Sequence, residues 1–94
     1  MSTEFMMLGP NIIRSAKGFT LHYHSGGHGG AVDYSDGNKK VRVVIELFGR
    51  PRRYGVYASS EDLKKLTSYE AEEILDGVKR ALEYLGHPAE IVRW

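Results

Sequence analysis

The apolar residues of this 94-residue chain change period near residue 58. Before that point they recur at every second position, the spacing of a strand with one face buried. After it they recur at intervals of three and four, the spacing of an amphipathic helix. A chain of this length that changes period once has room for one core. The expected fold class is therefore α+β: a mainly antiparallel sheet of about five or six short strands packed against one long C-terminal amphipathic helix, with a short helix before it. The domain is expected over 11–94, and 1–10 as a flexible N-terminus.

Composition removes several classes of function. The 41% hydrophobic content suffices for a single modest core, and the absence of Cys excludes disulfides and thiolate metal sites. The segment Met1 to Pro10 is apolar only in patches, too short and too weakly basic for a signal peptide, and no run approaches a membrane span. These features suit a cytoplasmic protein. The net charge of +1 hides an asymmetry, because residues 1–58 carry eight Lys or Arg against four Asp or Glu, and residues 59–94 carry five against eight. The sheet half is basic and the helical half acidic.

The strand half reads as a series of short runs. Residues Asn11–Arg14 and Phe19–His24 flank Lys17-Gly18 and suggest a first hairpin, with Phe19, Leu21 and Tyr23 on one face and Thr20, His22 and His24 on the other. The glycine-rich stretch Ser25–Gly30 reads as a mobile loop. Ala31–Ser35 and Lys39–Phe48 flank Asp36-Gly37, and a two-residue turn there pairs Val32 with Val41, Asp33 with Lys40 and Tyr34 with Lys39. Val41, Val43, Ile45 and Leu47 then point inward, and Tyr54–Ala58 forms a further strand.

In the helical half, Ser59 or Ser60 can cap a short helix ending at Leu66, with Glu61 and Asp62 in its first turn. Thr67 and Glu70 have capping-box spacing, which starts the long helix at Ser68. Ala71, Ile74, Leu75, Val78, Ala81, Leu82 and Leu85 make its apolar stripe, Gly86 and Pro88 end it, and Ala89–Arg93 can return as a closing strand. Gly77 falls off that stripe on a helical wheel, beside Glu73 and Tyr84, where it leaves a shallow notch.

Four kinds of chemistry are open to such a chain. His22, His24 and His28 form an H-x-H-x3-H array whose first two rings share a strand face, offering neutral nitrogens to zinc, copper or nickel. No Cys or obvious nearby carboxylate completes the set, and exposed strand histidines are the plainer reading. The glycine-rich loop is followed by a strand and not by a helix N-terminus, which argues against a phosphate cradle. Arg42, Arg50, Arg52, Arg53, Lys39 and Lys40, with Tyr54 and Tyr57, could hold a single-stranded nucleic acid by phosphate contact and stacking. The same Arg42, Arg50, Arg52, Arg53 and Tyr54 are good anchors for a protein partner. No nucleophile motif or paired-carboxylate arrangement stands out, so no enzyme is expected.

A family resemblance bears on that choice. Ile12-Ile13-Arg14, Ile45-Glu46-Leu47, Val56-Tyr57-Ala58-Ser59-Ser60 and the span Glu70 to Gly86 with Ile74, Ala81-Leu82 and Gly86 resemble the family of small bacterial polymorphic-toxin immunity proteins numbered 74. Glu90-Ile91-Val92 is similar to its closing strand. The resemblance implies a non-enzymatic protein that neutralises a toxin by binding it, with no cofactor. The leading expectation is thus a protein-binding module of the immunity type, and the alternatives are a single-strand nucleic-acid binder and a His-rich metal binder.

Overall fold

The structure, a computed structural model, describes residues 4–26, 29–49 and 52–93. Seven strands follow the order of the chain across one sheet: β1 (Phe5–Gly9), β2 (Ile12–Ser15), β3 (Thr20–Gly26), β4 (Gly29–Ser35), β5 (Lys40–Gly49), β6 (Arg52–Tyr57) and β7 (Ala89–Val92). The first six form an antiparallel meander, whereas β7 runs parallel to β6. Parallel neighbours need a crossover. Here it consists of a 3-10 turn, Glu61–Lys65, and the helix α1, Ser68–Tyr84.

The change of period marks the boundary between sheet and crossover. Ile13, Leu21, Val32, Val43, Ile45 and Val56 project to one face of the sheet, and the α1 residues Ile74, Leu75, Val78, Ala81 and Leu82 join them in one buried cluster. Both ends of α1 are closed as the residue types dictate. Thr67 accepts from the Glu70 amide and Glu70 from the Thr67 amide, completing the capping box. At the other end Gly86 takes φ +89°, with its amide donating to the Glu83 carbonyl and the His87 amide to the Leu82 carbonyl, a Schellman closure.

The fold departs from expectation in several places, each with a physical cause. Among the described residues there are seven strands and not five or six, and the short helix is a single 3-10 turn; α1 is followed by β7 where the closing strand was expected, so it is not the last element. The extra strand comes from the N-terminal ten residues, where Phe5–Gly9 pairs with β2. Glu4 bonds Arg80 and the Ser15 hydroxyl, and the Phe5 ring lies 5.6 Å from Tyr84 and 6.5 Å from Phe19. These contacts tie the N-terminal segment onto α1.

The β4–β5 register is shifted by two residues from the expected one, so Val32 pairs with Val43, Asp33 with Arg42, Tyr34 with Val41 and Ser35 with Lys40. The connection is longer because the Asp36 carboxylate accepts from the amides of both Asn38 and Lys39, while Gly37 adopts φ +90°. A two-residue slide leaves every side chain on its expected face and changes only its partner. The glycine-rich stretch is largely strand: β3 runs to Gly26 and β4 begins at Gly29, with Gly27 and His28 outside the described residues. A Cβ at Gly29 would stand 2.7 Å from the Ile45 carbonyl oxygen, so the close approach of β5 requires glycine there. Gly77 is buried, with Phe19 Cζ 3.1 Å from where its Cβ would stand. The expected notch is therefore filled by an aromatic ring from the sheet.

Candidate functional site: the uncovered face of the sheet

Alternation along each strand sends the remaining side chains to the face that α1 leaves bare. Across it run cross-strand rows set by the register: Arg14, Thr20, Ser35 and Lys40; then Ile12, His22, Asp33 and Arg42; then His24, Ala31 and Val44. Further along lie Glu46, Gly55 and Glu90, then Phe48 and Arg53.

The middle of this face carries apolar groups on either side of the exposed Glu46. Val44 is 45% exposed beside Ala31, and the half-buried Tyr57 pairs with Val92 on β7. Phe48 folds over Gly55, where an added Cβ would meet Phe48 Cε2 at 2.4 Å and Val92 Cγ2 at 3.0 Å. Glycine at this position gives the ring a bed. Around this centre sit charges that are mostly paired. Arg42 grips Asp33 with Nε at 2.8 Å and Nη2 at 3.0 Å, a two-pronged contact, and His24 Nε2 lies 2.9 Å from Asp33 Oδ2. The Arg42 guanidinium holds the Asp33 carboxyl below its ordinary range, burial opposes this, and His24 adds to the lowering. Arg53 donates to Glu90 at 2.9 Å and lies over the Phe48 ring at 5.2 Å. Tyr57 donates to Glu46 at 3.1 Å; burial first, and this bond second, raise its pKa.

Side chains also finish the ladder where strands run out. β6 pairs with β5 only from Ile45 onward, so the amides of Val44 and Arg42 lack a strand partner. The Ser60 hydroxyl accepts from the Val44 amide at 2.9 Å and donates to the Tyr57 carbonyl at 2.7 Å, and Asp62 Oδ2 accepts from the Arg42 amide at 2.9 Å. Ser60 stands at the N-cap position of the 3-10 turn without capping it. Its buried hydroxyl serves the sheet.

The residues expected to bind a partner do not converge on one patch. Arg42 sits at the opposite end of β5 from Arg52 and Arg53. Those two join Tyr54, His87 and Pro88 around a separate cleft of about 360 Å³. Tyr54 is buried, its hydroxyl bonded to that of Tyr23 and its ring 5.3 Å from His87, so it is a core residue more than an exposed anchor. Arg50 lies outside the described residues.

Of the histidine array, His22 and His24 do share a face, with ring centroids 4.1 Å apart, and His28 lies outside the described residues. A carboxylate, Asp33, does stand beside them, contrary to the sequence reading, but it is engaged by Arg42. Among the described residues no group of three His, Cys, Asp or Glu is placed to hold a metal ion. No helix among them is long and apolar enough to cross a membrane.

The sequence reading missed Val44, Phe48 and Gly55. Val44 was visible as an outward residue of the right alternation, but Phe48 and Gly55 meet only through the β5–β6 register. No family model matches the chain, and neither a curated protein nor a solved structure matches it.

Proposed function

We propose that this chain is a non-enzymatic protein-binding module that docks its partner on the uncovered sheet face. The observation that carries this reading is the arrangement of Val44, Ala31, Tyr57 and Phe48 around Glu46, which Tyr57 holds, with Asp33–Arg42 and Arg53–Glu90 pairs beyond them. An apolar middle with a polar rim is the anatomy of a protein interface. Because Arg42 and Arg53 are already neutralised in pairs, this part of the face attracts by shape and apolar contact more than by long-range steering. The same pairing takes Arg42 and Arg53 out of the set of cations that the nucleic-acid alternative needs to meet phosphates.

The resemblance of residues 12–92 to an immunity family makes a toxin the partner to test first. The experiment co-expresses the chain with the product of the neighbouring reading frame and measures growth and co-purification, for the wild type and for Val44→Asp. Val44 is exposed, so the substitution leaves the fold nearly unchanged. The proposal expects protection by the wild type and a loss of affinity of at least about 2 kcal/mol, roughly thirtyfold, in the variant. A complex indifferent to both Val44→Asp and Tyr57→Asp would place docking elsewhere, and no complex or protection would end the immunity reading.

A further inference from the structure

One end of the uncovered face holds hydrogen-bond donors that no described protein group uses. They line a cleft of about 370 Å³ whose walls include Thr20, Asp33, Ser35, Lys40, Arg42 and Asp62. Thr20 pairs across β3 and β4 with Ser35, and Ser35 across β4 and β5 with Lys40, which sets two hydroxyls and an ammonium side by side on adjacent strands. None of the three side chains has a hydrogen bond or ion pair among the described residues. Arg42 commits Nε and Nη2 to Asp33 and leaves both N–H groups of Nη1 unengaged, so its fork is oriented with Nη1 to spare. Among the described residues the His22 ring meets the His24 ring and has no hydrogen bond or ion pair.

We propose that this cleft binds a carboxylate, with the Thr20 and Ser35 hydroxyls, the Lys40 ammonium and Arg42 Nη1 donating to its two oxygens. Donors alone would suit any oxyanion. The surrounding charge selects among them. Asp33 is consumed by Arg42 and His24, whereas Asp62 has one oxygen on the Arg42 amide and no ion pair among the described residues. With Asp62 as a wall, Lys40 and Arg42 are balanced by two acids, and only Arg14, beside Thr20, tips the surroundings positive. A single negative charge is accommodated there, and a phosphate dianion meets repulsion from Asp62.

The carboxylate could be a free small acid or an Asp or Glu side chain of a docked partner, and the chemistry is common to both. The second source rests on the docking reading; the first does not. The test titrates the isotope-labelled chain with sodium acetate at constant ionic strength while following backbone amide resonances. Parallel titrations use inorganic phosphate and a blocked glutamate peptide. Saturating shifts at Thr20, Ser35, Lys40 and Arg42 in the millimolar range are expected, weakened about tenfold by Lys40→Ala. Asp62→Asn keeps an acceptor for the Arg42 amide and should tighten acetate severalfold. Peptide binding at least about tenfold tighter than acetate identifies a partner's side chain as the source, and equal binding identifies a free acid. Shifts that stay linear, survive Lys40→Ala, or saturate more tightly with phosphate than with acetate would overturn the assignment. Failure here leaves the Val44→Asp result untouched, so the two ideas stand or fall separately.

Discussion

The two faces of the sheet are built from alternate residues of the same strands, yet they are organised by different physics. On the helix side Val43 and Ile45 are buried in one cluster with Leu75, Val78 and Leu82, where each methylene removed leaves a void. On the other side Arg42, Val44 and Glu46 stand exposed, held by ion pairs and hydrogen bonds that water competes with. The covered face carries the stability and leaves the bare face free to vary. A module that must recognise something benefits from that separation, because recognition residues can change with little cost to folding.

The sharpest way to break the comparison is a pair of truncations one residue apart. Ile45→Ala should cost about 3 to 4 kcal/mol in urea unfolding, and Val44→Ala less than about 0.5 kcal/mol. Equal costs would mean the two faces are not distinct. The glycines sharpen the contrast further. Gly77→Val forces a branched side chain against Phe19, which is itself buried, and should cost about 2 kcal/mol by overpacking. Gly55→Ala meets only the ring of Phe48 and a methyl of Val92, and that ring can swing toward solvent. It should cost under about 1 kcal/mol while disrupting the apolar centre that the partner is proposed to meet.

Ser60 links the two faces, and its loss falls between the two glycine effects. Ser60→Ala leaves the Val44 amide without its acceptor in a nearly buried site and should cost about 1.5 kcal/mol, read by denaturation and by faster exchange of the Val44 amide. The smallest effect is electrostatic. Lys39 at 2.6 Å, together with the Thr67 amide and hydroxyl, lowers the Glu70 pKa from 4.5 to about 2. A carboxyl depressed in the folded state stabilises above its unfolded value, so this contribution is intact above about pH 4.5 and fades as the pH falls toward 2. In Lys39→Ala the acid-induced loss over that window should be visibly shallower, and an unchanged profile would detach Lys39 from the helix start.

What could be read in the chain beforehand follows the range of the interactions. Thr67 and Glu70 are three residues apart and announce the start of α1, and Gly86 announces its end, because capping is local. The inward set Val41, Val43, Ile45 and Leu47 was equally plain from alternation. β1 was not, since Met6, Met7 and Leu8 are consecutive apolar residues with no strand period, and their place at the sheet edge depends on Glu4 reaching Arg80 across the whole sequence. The Asp33 partner was misread for a smaller reason: the Asp36 carboxylate gathers two amides and lengthens the turn, so Arg42 and not Lys40 faces Asp33. The same non-locality hid the site. Phe48 over Gly55, and Ser60 beneath Val44, are meetings that only the finished sheet brings about.

The absence of Cys makes the central claim directly measurable. Five variants with a single cysteine at Arg42, Val43, Val44, Ile45 or Glu46 can be reacted with a thiol reagent under native conditions. The account predicts alternation, with 42, 44 and 46 modified about as fast as a free thiol and 43 and 45 slower by at least about a hundredfold, since those must wait for opening of the core. Uniform rates along the strand, or protection at 44 in the isolated chain, would contradict a sheet with one covered and one open face.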